Sequence, residues 1–91
     1  MPFTYRIETT DRLSGWRTAT TGERLFEEVA VIRHDDRVLC TMTGECLGFE
    51  SAKNRARWIV RLLSSGRTTA DRIPADADRW TTSNLLAHLT A

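Results

Sequence analysis

Few side chains in this chain of 91 residues have the type and spacing that chemistry requires. Glu27-Glu28 and Asp35-Asp36 are adjacent carboxylates. In an extended segment neighbours point to opposite faces, so neither pair converges as a general acid and base. His34 flanks the Asp35-Asp36 turn, and His88 lies far along the chain in another element. Cys40 and Cys46 match no zinc spacing, and His34 and His88 give no paired-ligand spacing. Threonine is the commonest residue at thirteen, but a hydroxyl without a partner base is not a nucleophile. Glycines stand at 15, 22, 44, 48 and 66, too scattered for a phosphate-cradling loop. The reading is a protein that is not an enzyme and has no metal or cofactor.

Charge is more informative. Residues 23–50 carry seven acidic and three basic side chains, while residues 51–72 carry six basic and one acidic. The overall +1 therefore conceals an acidic segment followed by a basic one. Lys53, Arg57 and Arg61 repeat at i, i+4 and i+8, which stacks them on one helix stripe. Trp58 falls on the flank of that face, with Arg55 beyond it. Guanidinium forks suit phosphates and carboxylates equally. The plainer alternative is a solvated stripe whose arginines pair with the acidic hairpin of the same molecule. Asp35 and Asp36 read first as turn formers and second as a negative prong, with Glu27 and Glu28 nearby. Trp16 and Trp58 read as core, whereas Trp80, in a polar stretch beside Arg79, reads as an exposed anchor.

The elements that must position these residues follow from periodicity. Phe3, Tyr5 and Ile7 alternate with polar residues as in a half-buried strand. Residues 11–15 look like a turn and 16–20 like a second short strand. Residues 23–33 admit two descriptions. Thr20 and Glu23 could cap a helix, but the β-branched run at 29–32 before Asp35-Asp36 favours a hairpin with residues 37–43. Residues 44–48 read as a turn or short return strand. Ser51 as N-cap and Gly66 as stop bound a helix at about 52–65, with Ala52, Ala56, Ile59, Val60 and Leu63 on one face. After a polar stretch, Thr82 or Ser83 can cap a short helix over residues 84–89.

The expectation is an α+β fold: a small antiparallel sheet of three to four strands against one main helix, followed by a short C-terminal helix or tail. One domain accounts for the length, with 1–66 as core and 67–91 as polar linker plus short helix. No apolar run exceeds four residues and the N-terminus does not read as a signal peptide, which points to a cytoplasmic protein without a membrane partner. Reduced, partly buried cysteines fit that compartment. Twelve arginines against one lysine hint at GC-rich coding in a bacterium or its mobile elements.

Residues 24–63, with strands, then Phe49-Glu50-Ser51-Ala52, then a helix carrying Ala56 and Trp58, resemble the arm-type DNA-binding domains of phage integrases. The resemblance covers under half of the chain. It implies three strands and one helix, with DNA read by a basic sheet, whereas the hairpin here is acidic. Two functions follow as expectations. One is a small binding protein acting on a protein or nucleoprotein complex, as would an inhibitor of the anti-CRISPR kind encoded by a phage or mobile element. The other is a nucleic-acid-binding regulator that uses Lys53, Arg57 and Arg61, with Arg55 or Arg67, on phosphates. A homodimer is compatible with either.

Overall fold

The computed structural model describes residues 5–17, 20–22, 24–44 and 50–91. Three strands, β1 (Tyr5–Arg17), β2 (Arg24–His34) and β3 (Arg37–Gly44), form an antiparallel meander in the order β1-β2-β3. Helix α1 (Ala52–Ser64) packs on one face, two 3₁₀ turns follow at Ala70–Arg72 and Ala77–Arg79, and α2 (Thr82–Thr90) ends the chain. This is the small α+β fold expected, with three strands. Gly44 ends β3; the rest of the turn or return strand expected over 44–48, with Cys46, lies outside the described residues.

The 23–33 ambiguity resolves as strand. Its side chains alternate: Glu28, Ala30 and Ile32 are buried, while Glu27, Val29, Val31 and Arg33 are half-buried on the opposite face. Asp35 and Asp36 form the two-residue turn between His34 and Arg37. Asp35 takes φ +56°, a left-handed conformation that aspartate tolerates better than most residues.

The turn expected at 11–15 is not a turn. β1 runs straight through it, paired with β2 from Tyr5↔His34 to Leu13↔Phe26, and the register shifts only between Leu13 and Arg17. Ladder hydrogen bonds along a long hairpin outweigh the local turn tendency of Ser14-Gly15, which leaves an irregularity where a reversal was expected. The reversal comes at Thr20-Thr21-Gly22, with Gly22 at φ +70°. At about 3.3 Å per residue, thirteen residues of β1 reach about 43 Å, in keeping with a molecule 49 Å long.

The core lies between the sheet and the two helices. Ala30, Ile32 and Met42 from the sheet meet Ala52, Ala56, Ile59, Leu62 and Leu63 from α1, and Ala77, Leu85 and Leu89 complete it. Apolar side chains of residues 67–91 thus close the same core, Ala77 from the stretch before α2 and Leu85 and Leu89 from α2 itself. Helix α2 starts two residues ahead of the expectation, with Thr81 as the N-cap that accepts from the Asn84 N–H.

Candidate functional site

Helix α1 positions the basic residues. The Ser51 side chain accepts from the Asn54 N–H at 3.0 Å, and Glu28 Oε1 accepts from the Lys53 N–H at 2.9 Å. Two of the orphan donors at the helix start are thus satisfied, one of them by a carboxylate placed where the helix dipole favours negative charge. At the other end Gly66, at φ +76°, sends its N–H to Leu63 O, and the Arg67 N–H goes to Leu62 O. That is a Schellman stop, and it confirms Ser51 and Gly66 as the bounds.

Between these caps, Lys53, Arg57 and Arg61 are exposed and share one stripe about 12 Å long at 1.5 Å per residue. No carboxylate among the described residues forms an ion pair with any of the three. Glu8 of β1 takes Arg33 Nε at 2.9 Å and lies 3.9 Å from Arg6. The plainer reading, arginines neutralised by the molecule's own acidic hairpin, is not what the described residues show. Trp58 borders the stripe half-buried, and the Arg61 guanidinium lies 4.8 Å from the centre of its ring.

Other residues singled out in the sequence are placed differently. Glu28 is buried beneath the helix start and serves the fold, so it cannot be a partner contact. Glu27 is half-buried, whereas Asp35 and Asp36 stand exposed at the turn. Trp80 is half-buried, not a free anchor: its indole N–H donates to Asp76 Oδ1 at 2.9 Å and its ring meets His88 edge-on at 5.0 Å. The side chain of Trp16 lies outside the described residues.

Arg55 departs furthest from expectation. It is 4% exposed and cannot contact phosphate. Its Nε donates to Glu50 O, its two terminal nitrogens to Asp78 O, Trp80 O and Thr43 O, at 2.6 to 3.3 Å. Asp78 in turn accepts from the Thr43 N–H and hydroxyl, and Glu50 caps α2 by accepting from the Thr82 N–H. One guanidinium therefore joins the end of β3, the start of α1 and the C-terminal segment. The signal was present on the helical wheel, because Arg55 falls within the arc of Ala52, Ala56, Ile59 and Leu62. A buried cation there needs fixed carbonyl partners, and all but Glu50 O come from segments remote in sequence.

Among the described residues no three His, Cys, Asp or Glu side chains could hold a metal ion. The open hollow of about 380 Å³ bordered by Asp76, Arg79, Trp80 and Asn84 contains no nucleophile–base pair. Cys40 is half-buried and unbridged, and burial, reinforced by the charge of Asp78 and opposed by Arg55, pushes its thiol pKa up. A thiol held neutral is a poor nucleophile.

The chain matches no protein-family model, no curated protein and no solved structure. Among the described residues, no helix is long and apolar enough to cross a membrane.

Proposed function

We infer that this protein is a non-enzymatic, cytoplasmic binding module whose α1 face docks on an acidic surface of a protein or nucleoprotein complex. The observation that carries this reading is the exposed stripe of Lys53, Arg57 and Arg61, with which no carboxylate among the described residues pairs. Three parallel cations without an ion-pair partner among the described residues repel one another, and an external anion relieves that repulsion. Trp58 beside Arg61 adds the two residue types most frequent at binding hot spots. A small charged module of this kind suits an inhibitor that occupies a surface of a larger machine, such as a phage or mobile-element product of the anti-CRISPR type.

The second reading is a nucleic-acid-binding regulator using the same stripe. Local charge favours it, with a net of +5 over residues 51–72, and the overall charge of +1 opposes it. Arg55 drops out of that reading because it is buried.

One experiment separates the readings. Tagged wild type, Arg57→Glu/Arg61→Glu and Asp35→Lys/Asp36→Lys are used as baits in a GC-rich bacterial lysate, with and without nuclease. The expected result is a nuclease-resistant partner retained by the wild type and the turn variant and lost by the helix variant. Retention by the helix variant overturns the assignment of the face, and loss on nuclease treatment moves the assignment to nucleic acid. Circular dichroism verifies that both variants are folded.

A further inference from the structure

We propose that the hollow between the 3₁₀ turn Ala77–Arg79 and the start of α2 binds a nucleoside phosphate, with guanine as the preferred base. The argument rests on Asp76, Arg79, Trp80 and Asn84, which border the hollow, and is independent of the α1 face.

At about 380 Å³ the hollow falls within the usual range of small-ligand sites. Its walls are fixed before any ligand arrives. The Arg79 N–H donates to Asp76 O at 2.8 Å and the Trp80 N–H to Ala77 O at 3.1 Å, which closes the turn. Arg55 holds the same turn through Asp78 O and Trp80 O, and the Asp78 carboxylate is anchored on Thr43. On the other wall, the Thr81 cap fixes the first turn of α2, where Asn84 lies. A site built this way loses little freedom on binding.

Much of the hydrogen-bonding capacity around the hollow is unspent. Among the described residues, neither the Arg79 guanidinium nor the Asn84 carboxamide has a hydrogen-bond or ion-pair partner. Asp76 gives Oδ1 to the Trp80 indole N–H at 2.9 Å and keeps Oδ2 for another donor. Trp80 packs against the core and also borders the hollow.

These groups select the occupant. It must bring an anion to Arg79, a flat apolar body to Trp80, and N–H donors to Asp76, since a carboxylate only accepts. The phosphate, ring and pairing edge of a nucleotide supply all three. An aromatic acid without N–H groups satisfies Arg79 but leaves Asp76 desolvated and unpaired. Of the common bases, guanine alone presents two adjacent N–H donors on its pairing edge. Adenine and cytosine set a ring-nitrogen lone pair beside the amine, which opposes the carboxylate.

Isothermal titration calorimetry with guanosine 5′-monophosphate, adenosine 5′-monophosphate and guanosine tests the proposal. Guanosine monophosphate should bind saturably and shift the Trp80 indole N–H resonance. The other two should bind about tenfold more weakly, the effect of losing one charge-assisted contact. Arg79→Gln should weaken both nucleotides about tenfold and leave guanosine unchanged. Asp76→Asn, which can still accept from the indole, should erase the preference for guanine. Arg57→Glu/Arg61→Glu should bind as the wild type does, and circular dichroism confirms the fold of each variant. A single-stranded pentanucleotide with one central guanine separates the two sources of this chemistry. If it binds more tightly than the mononucleotide, and through Asp76 and Arg79, the occupant is a strand; if more weakly, a free nucleotide. No binding of any nucleotide at millimolar concentration overturns the proposal. So do equal affinities for the guanine and adenine nucleotides, or binding that survives Arg79→Gln and is lost in Arg57→Glu/Arg61→Glu.

Discussion

Replacing Arg55 by alanine should destabilise this protein more than any exposed substitution on the same helix. The side chain is 4% exposed and donates to four backbone carbonyls on three separate segments. Hydrogen bonds from a charged donor are each worth about 1.5–3 kcal/mol, though they do not add within one network. The ion pair to Asp78 is long, at 3.8 Å, and Asp78 is 41% exposed, so solvent screens it and it contributes little. Disrupting a buried charged network typically costs about 3–5 kcal/mol, and we expect Arg55→Ala to fall in that range. A chain of 91 residues has total stability of about 5–14 kcal/mol, so the loss is a large fraction of it. At about 4–8 °C per kcal/mol, a loss near the lower bound lowers Tm by roughly 12–24 °C. Because geometry rather than charge carries the effect, Arg55→Lys should recover little: an ammonium cannot reach Thr43, Glu50, Asp78 and Trp80 together. Urea titration followed by tryptophan fluorescence reads both, with Arg57→Ala as an exposed control expected within about 0.5 kcal/mol of wild type. The reasoning is refuted if Arg55→Ala lies within about 1 kcal/mol of wild type or if Arg55→Lys retains full stability.

Three further outcomes follow from the same geometry. Glu28→Ala, which removes the carboxylate accepting from the Lys53 N–H, should cost about 1–3 kcal/mol in denaturant titration. Gly66→Ala forces a side chain into φ +76° and should cost about 1–2 kcal/mol, measured in the same titration; open space around the position means the loss is conformational. Cys40 should react slowly with iodoacetamide at neutral pH in a Cys46→Ser background, with a rate midpoint above the ordinary thiol range. Since its folded-state pKa is raised, the associated stability is present below the unfolded pKa and is lost as pH rises through the folded one. An alkaline denaturation series comparing Cys40→Ala with the Cys46→Ser parent should show that loss only in the parent.

Local patterns were enough to find the elements whose ends and faces are set by nearby residues. Ser51 and Gly66 bound α1 because capping is a short-range exchange of hydrogen bonds. The β-branched run before Asp35-Asp36 announced the hairpin, and the i, i+4, i+8 spacing put Lys53, Arg57 and Arg61 on one exposed stripe. Tertiary structure decided everything that depends on distant partners. Residues 11–15 became strand because β2 offered ladder bonds that a local turn could not match. Glu28 left the acidic surface to cap a helix 25 residues away, and Trp80 turned inward onto Asp76 and His88. Arg55 shows the division most clearly. Helical periodicity places it on the buried arc, but the carbonyls that make a buried guanidinium tolerable come from residues 43, 78 and 80 as well as 50. Local sequence sets propensity and the faces of helices and strands, whereas desolvated charges are settled only by the groups that folding brings to them.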